Sequence, residues 1–139
     1  MSRSHRAAAA VLREHGAGAA TDVTGFGLYG HLATLLQRTG GLGADVTVAD
    51  LPLYPGARSL FLQGVRSTFH AQNVRSVVVS GPGTTHALAE IGYDPQTAGP
   101  VLVAVPAGRV QAVLAALAEA DEPARVIGFV SAEPGIRLR

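Results

Sequence analysis

The chain has 139 residues, enough for one domain with a real core; 47% of the residues are hydrophobic and 15% charged. That balance excludes a disordered chain, and a formal net charge of +1 with scattered arginines gives no nucleic-acid footprint. There is no cysteine and no lysine, which removes thiol catalysis, disulfides, zinc–thiolate sites, and any lysine contact to an ATP phosphate.

Ser4 is placed to cap an alanine-rich helix running to about His15, with Ala8, Val11 and Leu12 on one face and Gly16 as its stop. A short apolar approach, Ala17 to Ala20, leads into Thr21-Asp22-Val23-Thr24-Gly25-Phe26-Gly27. Leu28, Leu32, Leu35 and Leu36 then form the stripe of a core-facing helix that ends near Gly40 and Gly41. Alternation from Ala44 to Val48 predicts a half-buried strand. Pro52 and Pro55 interrupt the chain before a short helix around Ala57, Leu60 and Phe61.

Residues 64–83 read as an irregular excursion, and Thr84 or Thr85 is placed to cap a short helix over His86 to Ile91. Val101 to Val105 is a buried strand, and Val110, Val113, Leu114 and Leu117 mark a helix. Arg125 to Ser131 and Ile136 to Leu138 close the chain as strands. This alternation predicts an α/β (α+β) domain over residues 1–139, with one mixed β-sheet covered by helices. No apolar run is long enough for a membrane helix and no signal peptide is evident, so the expectation is a soluble cytoplasmic protein.

Two segments could carry chemistry. In Asp22 to His31, three glycines fall where an extended segment turns into a helix. Glycine lets backbone approach a ligand, and a helix N-terminus offers unpaired N–H groups to an anion. Asp22 is then either a solvated cap or a ligand to the Mg²⁺ that accompanies a phosphate. In Asp94-Pro95-Gln96-Thr97-Ala98-Gly99-Pro100, Asp-Pro starts a turn, and Gln96 and Thr97 serve either a ligand or the local backbone. The five histidines have no metal-ligand spacing. His31 sits near the start of its helix, placed either to approach a phosphate or to pack.

Asp22-Val-Thr-Gly-Phe-Gly-Leu-Tyr-Gly-His31 resembles the signature that opens the C-terminal domain of the selenophosphate synthetase (selenide, water dikinase) family. Leu51 to Gly56 is similar to that family's LPxxPG stretch. Asn73 falls in its Thr-x-Arg-Asn element, Asp94 to Thr97 in its DPQT element, and Ile127-Gly128 in its closing Ile-Gly. The likeness covers the whole chain. It implies a fold like the C-terminal domain of aminoimidazole-ribonucleotide synthetase. It also implies a full enzyme, a homodimer, that makes selenophosphate from selenide, ATP and water with Mg²⁺; a separate N-terminal ATP-binding domain supplies the reactive Cys or selenocysteine, the lysine and the dimer contacts, so this chain alone is expected to be inactive.

By the same resemblance Asp22 is the metal ligand, Thr24, Gly25 and Gly27 line the phosphate side of the cleft, and Asn73 contributes to the cofactor site. Gln72, Ala98 and Pro100 depart from the family pattern, which has Arg, Ser and Gly there. Two other readings stay open: a superfamily member with a different acceptor, and a stand-alone nucleotide- or protein-binding module.

Overall fold

The computed structural model describes residues 4–139. In chain order these form α1 (Arg6–Glu14), β1 (Ala19–Asp22), α2 (Gly27–Gln37), β2 (Gly43–Val46), α3 (Ala57–Leu62), α4 (His70–Ser76), β3 (Val79–Ser80), β4 (Val101–Ala104), α5 (Val110–Glu119), β5 (Gly128–Ser131) and β6 (Gly135–Leu138), with short 3₁₀ turns between them. The domain is α/β with a mixed sheet, as expected, but it also holds a second sheet. Four strands run in the order β3-β6-β2-β5, β6 parallel to β2 and β3, and β5 antiparallel to β2. β1 and β4 form a separate antiparallel ribbon.

Each sheet has its own core. The mixed sheet turns Ala44, Val46, Ile136 and Leu138 toward Tyr29, Leu32 and Leu36 of α2, with Phe61, Leu88 and Tyr93 completing the cluster. The ribbon carries α1 and α5, whose Ala8, Leu12, Val113 and Leu117 meet against Val101 and Val103. β1 belongs to the ribbon and α2 to the main core, so the segment joining them, residues 23–26, lies at the junction of the two.

The outer face of the mixed sheet carries a polar cluster on β2 and β6. Asp45 accepts from Arg137 at 2.7 and 3.1 Å and from Arg139 at 3.0 Å. Hydrogen bonds from Arg137 and then Arg139 hold the Asp45 carboxyl down at about 2. Arg137 also pairs with Glu133.

The long stretch expected to be irregular contains α4 and β3. The helix expected over His86 to Ile91 is instead a 3₁₀ turn over Ala89–Tyr93. Its Gly92 packs against the Tyr29 ring, where a Cβ would lie 2.3 Å from the ring. Thr84 and Thr85 do not cap it; their hydroxyls donate back to the carbonyls of Gly81 and Pro82. The final two strands begin later and earlier than expected, at Gly128 and Gly135. Among the described residues, no helix is long and apolar enough to cross a membrane.

Candidate functional site

Asp22 ends β1 opposite Val101. Its side chain is exposed and makes no hydrogen bond or ion pair among the described residues. The helix that follows has Phe26 at its N-cap and no side-chain cap. Asp22 therefore is not the cap of α2, and its carboxylate is uncommitted.

The turn after it is braced by main-chain hydrogen bonds. The Thr24 carbonyl accepts from the N–H groups of Gly27 at 3.0 Å and Gln96 at 3.1 Å. Val23 N–H donates to the Pro100 carbonyl at 3.0 Å, and Gly99 N–H donates to the Val23 carbonyl at 3.0 Å. The two sequence motifs are thus knitted together by main-chain bonds. The Thr24 hydroxyl is hydrogen-bonded to His31 Nε2 at 2.9 Å, the histidine being the fifth residue of α2, just over one turn in. The Phe26 ring leans on the His31 ring at 5.7 Å.

Gly27 opens α2 with φ +68°, and a Cβ there would lie 2.7 Å from the Gly92 carbonyl oxygen and the Tyr93 backbone. Only glycine allows this left-handed residue to press so closely on another chain segment. Gly25 is exposed, with open space around its α-carbon.

Asn73 is buried, and its amide nitrogen donates to the carbonyls of Gly25 and Tyr93, each at 2.9 Å. It lies under the turn and holds it from below. The structure thus brings Asp22, Thr24, Gly25, Gly27 and Asn73 into one continuous feature, with Asp22 and Gly25 outward and Asn73 inward. Gln72, Ala98 and Pro100 are exposed, and Pro100 contributes its carbonyl, which proline retains.

Sequence reasoning missed the tyrosine pair beneath the site. Tyr29 and Tyr93 meet edge to face at 4.9 Å; their hydroxyls donate to the carbonyls of Ala89 and Val77. Burial, and then the neighbouring Tyr93, pushes the Tyr29 phenol above its ordinary range. Tyr29 as the variable position of the signature gave no signal of this role. His70, also missed, is buried between the edges of Phe61 and Tyr93, 3.5 Å from Glu90, with Nδ1 unpartnered.

Among the described residues no three His, Asp or Glu side chains converge as a metal cage. One free aspartate fits a Mg²⁺ that takes one or two carboxylates from protein and completes its shell with water and phosphate. The arrangement supplies one carboxylate beside a glycine turn and an uncapped helix start.

A family model described as AIR synthase related protein, C-terminal domain, matches residues 1–139. The chain is 38% identical over 134 residues to a selenide, water dikinase of Nitratidesulfovibrio vulgaris (strain DSM 19637 / Miyazaki F), covering 93% of this chain and 37% of that protein. It is 34% identical over 142 residues to a selenide, water dikinase of Pelobacter propionicus, covering 99% of this chain and 40% of the relative. A crystal structure of thiamine-monophosphate kinase from Stenotrophomonas maltophilia K279a superposes with a TM-score of 0.60 at 19% identity, over 91% of this chain and 32% of that one, which supports the fold. The chain spans less than half the length of each of these proteins. It belongs to the AIR synthase related C-terminal domain family, and within it to the selenide, water dikinase-like members.

Proposed function

We propose that this chain is the C-terminal half of an ATP-dependent selenide, water dikinase, presenting Asp22 as a Mg²⁺ ligand on the phosphate side of an interdomain cleft. The observation that carries the reading is the uncommitted Asp22 carboxylate, held at the end of β1 beside a turn whose carbonyls at residues 23, 24 and 25 and whose Thr24 hydroxyl are all engaged. Mg²⁺ would supply charge neutralisation for the phosphates. This chain's own residues orient: Asn73 and Gln96 fix the carbonyls of residues 25 and 24, and His31 fixes the Thr24 hydroxyl. The backbone at Gly25 is left open to a ligand.

A partner domain fits the surface around the turn. Phe26 and Phe69 are about three-fifths exposed, and Tyr54, Leu60, Leu62 and Val65 are exposed along the segment that includes α3. Phe69 immediately precedes α4, one turn ahead of Asn73. Aromatic and aliphatic residues in this density suit burial against another domain. ATP, selenide and the nucleophile would come with that N-terminal part.

Two experiments test the reading. The chain alone, given ATP, Mg²⁺ and selenide, yields no AMP above a boiled control, since it has neither Cys nor Lys. In the two-domain protein, Asp22→Asn cuts ATP turnover by well over tenfold and leaves the melting temperature unchanged. Turnover within about twofold of wild type, roughly 0.4 kcal/mol, defeats the metal-ligand assignment.

A further inference from the structure

β5 is an edge strand, paired with β2 and, among the described residues, with no strand on its other side. Its sequence, Gly-Phe-Val-Ser, holds no charge and no proline, the devices by which edges are ordinarily protected from pairing with other chains. Phe129 is 71% and Val130 56% exposed, and consecutive strand residues point to opposite faces. The edge is therefore apolar above and below.

The backbone pattern says which groups are free. Thr47 N–H donates to the Ile127 carbonyl at 2.9 Å, two residues along the register that sets Asp45 opposite Phe129 and Val46 opposite Gly128. Hydrogen-bonded and non-bonded pairs alternate along an antiparallel ladder. Residues 127, 129 and 131 thus direct their N–H and C=O groups to β2, and Gly128 and Val130 direct theirs outward.

We infer that β5 is a self-association edge, on which two copies of this chain pair antiparallel about a two-fold axis normal to the sheet, making one continuous eight-stranded sheet. A second copy is the occupant because an antiparallel edge is complementary to itself, the condition for an isologous dimer. The outward groups fit that symmetry. Gly128 of one copy exchanges bonds with Val130 of the other, and the reverse, which sets the two Phe129 residues directly opposite in the non-bonded pair between them. Side chains approach closest there, and aromatic cross-strand pairs stabilise such ladders. Four residues from each copy make a small contact, so the dimer belongs to the weak class. This inference stands apart from the enzymatic reading and survives its failure.

Sedimentation equilibrium on this chain tests it. The average mass rises from monomer toward dimer as concentration approaches about 1 mM, the range of a weak complex. Amide exchange at Gly128 and Val130 slows with concentration, while exchange at Phe129, already bonded to β2, does not change. Phe129→Lys places like charges opposite each other. Val130→Pro removes an N–H that points outward and so breaks no bond to β2. Each weakens association at least tenfold, about 1.4 kcal/mol, and Phe129→Lys leaves the far-ultraviolet circular dichroism and melting temperature intact. Should Val130→Pro disturb the fold, Phe129→Lys decides alone. A monomer at about 1 mM, or a dimer indifferent to Phe129→Lys, overturns the inference.

Discussion

Replacing Asn73 by leucine keeps a side chain of similar size and removes both donors. Asn73 is 4% exposed and its amide serves two carbonyls, Gly25 and Tyr93, at 2.9 Å. Each bond contributes a net of about 0.5–1.5 kcal/mol, and a buried carbonyl left without a donor adds about 1–3 kcal/mol. Gly25 is exposed and its carbonyl can turn to water, whereas Tyr93 is buried. One full penalty and one bare bond give a loss of about 2–4 kcal/mol. For a domain of this size that lowers the melting temperature by about 8–15 °C. Differential scanning calorimetry reads it directly. Asn73→Asp adds a signature: it keeps the shape but sets a carboxylate against two carbonyls. Burial raises its folded pKa above the unfolded value near 3.9, so destabilisation grows as pH rises past about 4. A leucine variant melting within about 2 °C of wild type refutes the bridging role, since the lost bond and the unpaired Tyr93 carbonyl together exceed that.

Gly27→Ala places a Cβ at φ +68° and 2.7 Å from the Gly92 carbonyl oxygen. The left-handed conformation costs about 1–2 kcal/mol and the overlap about 1–3 more, so urea unfolding should show a loss of about 2–5 kcal/mol; a change under about 0.5 kcal/mol contradicts the packing. Asp45, held at about 2 in the folded protein against 3.8 ordinarily, contributes stability that is complete above pH 3.8 and disappears as pH falls through about 2. Urea midpoints of wild type and Asp45→Asn, measured from pH 6 downward, should differ at neutral pH and converge at the acid end; parallel curves contradict the arginine pairing.

What the sequence showed depends on where the determining contacts lie. α1, α2, β4 and α5 were legible because their apolar residues repeat at helical or strand spacing within ten or so positions. α4 was not, because its buried residues are His70 and Asn73, whose partners lie 20 to 48 residues away. Alternation marked Asp45 as the solvent side of its strand. Two arginines, 92 and 94 residues downstream, cover it instead, and no local pattern reports that. The mixed sheet was anticipated, but β1 and β4 were not separable from it by composition. At the candidate site, residue types pointed to Asp22 and the glycine turn. The sequence left open whether Asp22 caps α2, and the uncapped helix start answers that. The coupling of the turn to residues 96–100 was invisible, because peptide groups alone make it.

That coupling makes the ribbon a clasp. The bonds joining residues 23–24 to 96–100 pin both ends of a long span that contains α2, β2, α3, α4 and β3. Such distant closures form late in folding, after local helices, because chain entropy opposes them. In the native state they define a unit that opens together: the amides of Val23, Gln96 and Gly99 should exchange at one shared rate, set by a single sub-global opening. Residues 22–27 therefore have no hinge of their own. A ligand drawn to Asp22 meets a turn that is either wholly shaped or wholly undone, and side chains at 98 and 100 are free to drift because the clasp never uses them.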